Sequence, residues 1–143
     1  YLLGLEHFNS GGLNLEDAGA TTKPDCMLKL GTTKLAVEIE LTQKVAHRIE
    51  AKFRKYMDSN EYERVLYVFQ KTSVFKAYKK KMDELDESCN PLFKKRYQDK
   101  IILMIEPEVK NNKFTLLDSH CYFQGKLAPF KEIIDSGVTL AQS

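Results

Sequence analysis

The segment between residues 23 and 41 constrains the fold more than any other part of this sequence. Two stretches of alternating polar and apolar residues flank the pair Gly31-Thr32. Glycine readily adopts the positive φ that a type II′ turn needs at its first position, and such turns join the strands of β-hairpins. We therefore predict a hairpin whose strands are Asp25–Leu30 and Lys34–Leu41.

The turn also predicts which side chains face each other across the hairpin. If Leu30 pairs with Thr33, Asp25 lies directly opposite Glu38. Because side chains alternate between the two faces of a strand, Glu40 shares the face of these two acids. The opposite face is apolar and consists of Cys26, Leu28, Leu30, Leu35, Val37, Ile39 and Leu41.

The acidic face of this hairpin is a candidate metal site. Carboxylates that face each other about 5 Å apart repel and would destabilise an ordinary sheet. Mg²⁺ or Mn²⁺ would remove this repulsion, since these cations prefer oxygen ligands and accept one or two carboxylates together with water and phosphate. We therefore expect Asp25, Glu38 and Glu40 to bind metal. A metal site of this kind suits phosphodiester hydrolysis. The alternative is that the glutamates only form a solvated surface.

The residues after the hairpin predict a helix with a basic stripe. Apolar side chains recur at helical spacing between residues 45 and 57, and Arg48, Lys52 and Lys55 follow one another at i, i+4 and i+7. A basic stripe of this kind suits a phosphate backbone or the negative charge of a phosphoryl transition state. Lys52 and the nearer Lys44 are both candidates for a catalytic lysine.

The rest of the sequence predicts the other elements of an α/β domain. Arg64 to Gln70 is a continuous apolar run, typical of a buried strand that lies parallel to its neighbour after an intervening helix. Further predicted elements are the end of a helix over residues 1–9, a helix from Ser73 to about Asp86, a helical turn from Leu92 to Tyr97, a buried strand from Lys100 to Ile105, an edge strand at Phe114–Leu117 and a terminal helix from Leu127 to Ile134. We expect a single domain over residues 1–143 that forms part of a longer protein.

Composition excludes several classes of protein. The net charge is only +2, and no apolar run approaches the roughly 20 residues of a membrane span, so we expect neither a histone-like binder nor a membrane partner. Basic residues instead cluster at Arg48–Lys55, Lys71–Lys81 and Lys94–Lys100. The three cysteines are widely spaced, which argues against a disulfide framework or a zinc knuckle, and we expect a cytoplasmic protein.

Several short motifs follow one another in a recognisable order between roughly residues 5 and 70. They are Lys23-Pro24-Asp25, then Ala36-Val37-Glu38-Ile39-Glu40-Leu41, then Arg48-Ile49, Lys52 and Tyr56. Together they resemble the PD-(D/E)xK restriction-endonuclease-like superfamily. More narrowly, the pattern is similar to that of the replication-relaxation proteins, which include the MobC-type plasmid mobilisation relaxases.

The resemblance implies a mixed central sheet of four to five strands flanked by helices, a Mg²⁺ or Mn²⁺ cofactor, and nicking or cleavage of DNA. It also implies action at a plasmid origin in mobilisation or replication, with other proteins of those processes as possible partners. The pattern departs at Glu40, where the superfamily has lysine, so Lys52 from the next helix becomes the expected catalytic lysine. In part of the superfamily an acidic residue of the first helix also binds metal, a role that Glu6 would take here. We assign Lys44, Arg48 and Lys55 to DNA binding.

Three other interpretations stay open on sequence alone. The chain could be a DNA-binding module that keeps the fold without turnover, or a repair or transposition nuclease of the same superfamily. It could also be a structural domain in which the acids pair with Lys29 and Lys34 at the surface. Tyr56 and Tyr67 occupy core-facing positions, so we expect hydrolysis by water rather than a tyrosyl-DNA intermediate.

Overall fold

A computed structural model describes residues 24–88, 96–109 and 115–134 of the chain. The described part contains six strands and two long helices. Glu6, the expected helix over residues 1–9, and most of the expected turn from Leu92 to Tyr97 lie outside these ranges.

The hairpin forms with the predicted register. Strand β1 is Cys26–Leu30 and strand β2 is Thr33–Glu40, and they pair antiparallel with Leu30 opposite Thr33. Gly31 has a φ of 63°, the left-handed conformation that a residue with a Cβ would adopt only with strain. The turn thus determines which residues of β2 face the helices and which face the opposite layer.

A parallel strand follows through a helical crossover, as predicted. Helix α1, Ala46–Asp58, buries Ile49, Phe53 and Tyr56, which lie on one stripe of the helix. Strand β3, Arg64–Phe69, then pairs in parallel with β2 and is almost entirely buried. This crossover packs α1 over the face of β2 that carries Glu38 and Glu40.

A second crossover extends the sheet. Helix α2, Thr72–Glu87, leads to strand β4, Ile101–Ile105, which is parallel to β3. The start of β4 is tied to the end of α1, because the buried Lys100 ammonium donates hydrogen bonds to the carbonyl oxygens of Tyr56 and Ser59, each at 2.6 Å. Cationic groups are favourable at the carboxyl end of a helix, where the last carbonyls lack partners within the helix.

The end of the described chain differs from the sequence-based expectation. Within the expected edge strand, Leu116 and Leu117 belong to a 3-10 helix, Leu116–Asp118. The expected terminal helix begins only after Pro129, since residues 130–134 are helical and the preceding residues are extended. A second hairpin, with strand β5 at His120–Phe123 and strand β6 at Lys126–Pro129, occupies this region.

These two strands raise the sheet to six strands in the order β1-β2-β3-β4-β5-β6, which corrects the expected four to five. Gln124 and Gly125 both have positive φ, as a two-residue type I′ turn requires, and they connect Phe123 to Lys126. The strands are only four residues each, too short for a clear alternation of polar and apolar residues. The sheet is mixed, because β1, β5 and β6 are antiparallel to their neighbours and the three central strands are parallel.

The sheet separates two apolar layers. One layer contains α1 and α2 with the aromatic residues of β3, and the other contains the residues after β4 together with the apolar face of the hairpin. Leu28, Leu35 and Val37 lie in this second layer, as the parity of the hairpin predicts. Among the described residues, no helix combines the length and the apolar character that crossing a membrane requires.

Candidate active site between the hairpin and the two helices

Glu38 and Glu40 lie side by side beneath the helices rather than on the surface. They occupy alternate positions of β2, so both point towards the layer that contains α1 and α2. Glu38 is only 1% exposed and Glu40 only 7%. Two carboxylates are rarely buried this deeply without partners that compensate for their charge, so the groups that contact them define the chemistry of the site.

Asp25 is attached to the same region by its side chain. It immediately precedes β1, and its Oδ2 accepts a hydrogen bond of 2.7 Å from the backbone N–H of Ile39. Ile39 lies between Glu38 and Glu40 on β2, so this bond holds Asp25 beside the two glutamates. The Asp25 charge helps to raise the pKa of Glu38, which agrees with the predicted position opposite that residue.

Lys52 reaches Glu38 from helix α1. Its Nζ lies 3.1 Å from Glu38 Oε2, and its side chain is 42% exposed while that of Glu38 is 2% exposed. The lysine therefore extends from solvent to the edge of a buried carboxylate. One turn later on the same helix, the Tyr56 hydroxyl donates a hydrogen bond to the same oxygen, Glu38 Oε2.

Glu40, like Glu38, is contacted by one lysine and one tyrosine hydroxyl. The Tyr78 hydroxyl of helix α2 donates a hydrogen bond of 2.6 Å to Glu40 Oε2, and Lys44 Nζ lies 3.9 Å from the same atom. The Lys44 side chain is 45% exposed. Of the two candidate lysines, Lys52 makes the closer contact with a buried carboxylate.

The environment of Glu38 changes its acidity. Its pKa is raised from 4.5 to about 7, chiefly because burial penalises the charged form, and the Asp25 charge adds to this effect. Lys52 and the Tyr56 hydroxyl act in the opposite direction and favour the carboxylate. Carboxyl groups whose pKa is displaced by burial and specific charges are more frequent at functional sites than elsewhere.

A third tyrosine lies at the centre of this cluster. Tyr67 is opposite Glu38 in the register of β2 and β3, and its hydroxyl is buried with no hydrogen-bond partner among the described residues. Burial, followed by the charges of Glu38 and Glu40, holds the pKa of Tyr67 well above its ordinary value. Tyr67 therefore stays protonated, and the charges of both carboxylates contribute to this.

The sequence predicted Tyr56 and Tyr67 as core residues and did not single out Tyr78. The aromatic rings do pack in the core, but the hydroxyl groups of Tyr56 and Tyr78 bind the two glutamates. One signal was present in the sequence, because Tyr56 is four residues after Lys52 and must lie on the same side of the helix. Tyr78 is 38 residues from Glu40 and lies on a later helix, so no local pattern connects them.

The other predicted DNA-binding residues of α1 are accessible. Arg48 and Lys55 are both exposed and lie one turn before and one turn after Lys52. The only lysines that form ion pairs with Glu38 and Glu40 within the described ranges are Lys52 and Lys44. A structural role would require Lys29 and Lys34 to pair with the acids at the surface. These two lysines are exposed and lie opposite each other in the register of β1 and β2.

The donor set fits a hard cation in one respect. Both tyrosine hydroxyls and both lysines contact Oε2 of their glutamate, and no described residue donates a hydrogen bond to Oε1 of either carboxylate. Within residues 24–88, 96–109 and 115–134, no group of three or more His, Cys, Asp or Glu side chains is arranged to hold a metal ion. Mg²⁺ commonly takes one or two carboxylates and completes its shell with water and substrate phosphate. Two glutamates with unused oxygens can provide the carboxylate ligands.

Comparisons with known proteins gave no match for this chain, since no family model fits the sequence and no curated protein or solved structure is significantly similar to it.

Proposed function

We propose that this protein is a Mg²⁺- or Mn²⁺-dependent DNA endonuclease with a restriction-endonuclease-like domain. The observation that carries the proposal is the contact between Lys52 Nζ and Glu38 Oε2 at the edge of a buried acidic cluster. The hairpin carries two acidic residues on one strand, and the next helix places a lysine beside them. These are the residue types of the PD-(D/E)xK pattern, despite the glutamate at position 40.

In this proposal Asp25, Glu38 and Glu40 would bind the cation, with Glu6 as a further ligand. When bound, the cation polarises a phosphoryl oxygen and lowers the pKa of a water molecule that attacks phosphorus. Glu38 must be deprotonated for this role, so its raised pKa links metal affinity to pH near neutrality.

Lys52 provides the positive charge near the reacting phosphate. Its ammonium is anchored by Glu38 while the lysine side chain as a whole is 42% exposed, so Lys52 can contact both the carboxylate and a DNA strand. A fixed cation at that position stabilises the negative charge that develops on the phosphate in the transition state. Phosphoryl transfer relies mainly on such positioning and charge stabilisation.

Arg48 and Lys55 extend the basic surface along α1. Both are exposed and lie within one turn of Lys52, and Lys44 precedes the same helix. We assign these residues to the phosphate backbone, which they would hold in register with the acidic cluster without reading its sequence. A plasmid origin, processed in the cytoplasm with other mobilisation or replication proteins, is the substrate that the motif resemblance suggests.

A catalytically inactive DNA-binding module is the second candidate, and one observation favours it. Each glutamate already faces a lysine ammonium and accepts a hydrogen bond from a tyrosine hydroxyl. The pKa of Glu38, about 7, also leaves part of the population protonated at neutral pH. A site of this kind binds metal weakly unless DNA supplies further ligands.

Nicking of supercoiled plasmid DNA tests the proposal. Wild type, Glu38→Ala and the matched surface variant Glu61→Gln are incubated with Mn²⁺, Mg²⁺ or EDTA, using plasmids with and without a candidate origin. We expect metal-dependent nicking by wild type and Glu61→Gln and its loss in Glu38→Ala. Equal cleavage of both plasmids favours a repair nuclease over an origin-specific relaxase. No cleavage by wild type on either plasmid, with DNA affinity unchanged in Glu38→Ala, identifies the binding module.

A further inference from the structure

Tyr56 and Tyr78 form a matched pair of contacts with the acidic cluster. Tyr56 comes from the last turn of α1 and Tyr78 from α2, yet each donates its hydroxyl to a different glutamate of β2. Both tyrosines are buried, at 0% and 2% exposure. Two separate helices therefore restrain two neighbouring carboxylates of one strand.

The contacts define the orientation of each carboxylate. Both hydroxyls bind Oε2, which leaves Oε1 of Glu38 and Oε1 of Glu40 without a donor from the described residues. A carboxylate held through one oxygen presents the other in a fixed direction. Groups that bind a metal-binding carboxylate in this way are known to tune metal affinity, because they remove the freedom that the ligand would otherwise lose on binding.

The restraint on Tyr56 extends to the backbone of its helix. Buried Lys100, which directly precedes β4, donates hydrogen bonds to the carbonyl oxygens of Tyr56 and Ser59. The end of α1 is therefore attached to the sheet at the residue whose hydroxyl binds Glu38. The position of Tyr56 is determined from both its backbone and its side chain.

We propose that Tyr56 and Tyr78 are positioning residues that pre-orient Glu38 and Glu40 for a divalent cation. This inference rests on the proposed function, since it assigns the tyrosines a role at the same site. The tyrosines do not touch the cation or the DNA. They hold the two Oε2 atoms so that each Oε1 atom remains available as a ligand for the cation.

Mn²⁺ binding by the full chain tests this role without any need for catalysis. Free Mn²⁺ is measured by electron paramagnetic resonance during titration of wild type, Tyr56→Phe and Tyr78→Phe, in the absence of DNA and at a pH above 8. We expect each variant to bind Mn²⁺ about 10–100-fold more weakly, the usual effect of removing a group that orients a ligand. The melting temperature of each variant in EDTA reports separately on folding.

Tyr67→Phe is the matched control. It removes a buried tyrosine hydroxyl from the same cluster, but this hydroxyl makes no hydrogen bond to either glutamate. We expect its Mn²⁺ affinity to equal that of wild type.

The outcomes separate the two proposals. Wild-type binding that is lost in Glu38→Gln but unchanged in Tyr56→Phe and Tyr78→Phe overturns the positioning role and leaves the metal site in place. Equal weakening in all three tyrosine variants also overturns it, because the effect would then not follow the hydrogen bonds. No Mn²⁺ binding by wild type, with or without duplex DNA, overturns the metal-dependent function and this inference with it.

Discussion

Lys52 Nζ lies 3.1 Å from Glu38 Oε2, which joins a half-exposed lysine of helix α1 to a buried carboxylate of strand β2. Among the described residues, Lys52 makes the shortest ion pair with Glu38 or Glu40. A lysine placed by a neighbouring helix can take over the role of one located on the strand, because catalysis depends on where the ammonium lies and not on its place in the sequence.

Replacing Lys52 by methionine keeps the aliphatic stem and removes the charge. We expect the rate of metal-dependent nicking to fall about 10²- to 10³-fold, the usual effect of removing one donor that stabilises transition-state charge. The assay is run at saturating Mn²⁺, because the loss of Lys52 raises the pKa of Glu38 further and so weakens metal binding. Single-turnover nicking assays on supercoiled plasmid measure the effect.

Lys55→Met provides the control for this experiment. Lys55 lies on the same helix and is exposed, so its removal should weaken DNA binding without changing the single-turnover rate at saturating protein. Equal rate losses in the two variants would show that only the overall charge of the helix matters. A wild-type rate in Lys52→Met would limit Lys52 to neutralising Glu38.

The raised pKa of Glu38 predicts how folding stability depends on pH. Because the folded-state pKa of about 7 exceeds the ordinary value of 4.5, the folded protein holds the Glu38 proton more tightly than the unfolded chain. The stability that comes from this group is therefore complete below about pH 4.5 and is lost as pH rises through 7. At 1.36 kcal/mol per pH unit, the loss is about 3 kcal/mol.

Urea unfolding of wild type and Glu38→Gln in EDTA, from pH 5 to pH 8, measures this contribution. The glutamine side chain does not titrate, so we expect its unfolding free energy to lose about 2.5 kcal/mol less than that of wild type over this range, since part of the loss already occurs below pH 5. Parallel pH profiles for the two proteins would show that Glu38 titrates at its ordinary pKa in the folded state.

The Tyr67 hydroxyl predicts a stabilising substitution. A buried hydroxyl without a partner costs roughly 1–3 kcal/mol, and phenylalanine fills the same space without this cost. We expect Tyr67→Phe to raise the free energy of unfolding by about 1 kcal/mol in urea titrations without metal. Tyr78→Phe should lower it, because Glu40 then loses a hydrogen bond to its buried carboxylate. A loss of stability in Tyr67→Phe would indicate that this hydroxyl has an acceptor in the folded protein.

Much of the hairpin was predictable because two local rules acted together. A glycine at the first turn position determined the register, and the period of two in a strand then placed Glu38 and Glu40 on one face. The order of helix and strand after Glu40 predicted a parallel neighbour, and the structure has one. Local geometry therefore placed Asp25, Glu38 and Glu40 on the same side of the sheet before any tertiary contact was known.

The parts that were not predicted depend on packing between distant segments. The depth at which Glu38 is buried follows from how α1 and α2 cover β2, and the period of a strand does not contain this information. The contact between Tyr78 and Glu40 has the same origin. The hairpin of β5 and β6 was missed for a local reason, since strands of only four residues give no clear alternation and only Gln124-Gly125 indicates the turn.

The exposed basic residues of α1 predict how DNA binding depends on salt. Each Lys or Arg that contacts a phosphate releases condensed counterions, so the slope of log affinity against log salt becomes shallower by about 1 when that contact is removed. We expect this change for Arg48→Ala and for Lys55→Ala, with similar weakening on unrelated duplex sequences because phosphate contacts carry no sequence information. Fluorescence anisotropy at several salt concentrations measures the slope.

Lys126→Ala is the control, because Lys126 is exposed on β6, at the opposite edge of the sheet from β1. If Lys126→Ala changes the slope as much as Arg48→Ala, the DNA does not follow helix α1, and the proposed path from this helix to Glu38 is wrong.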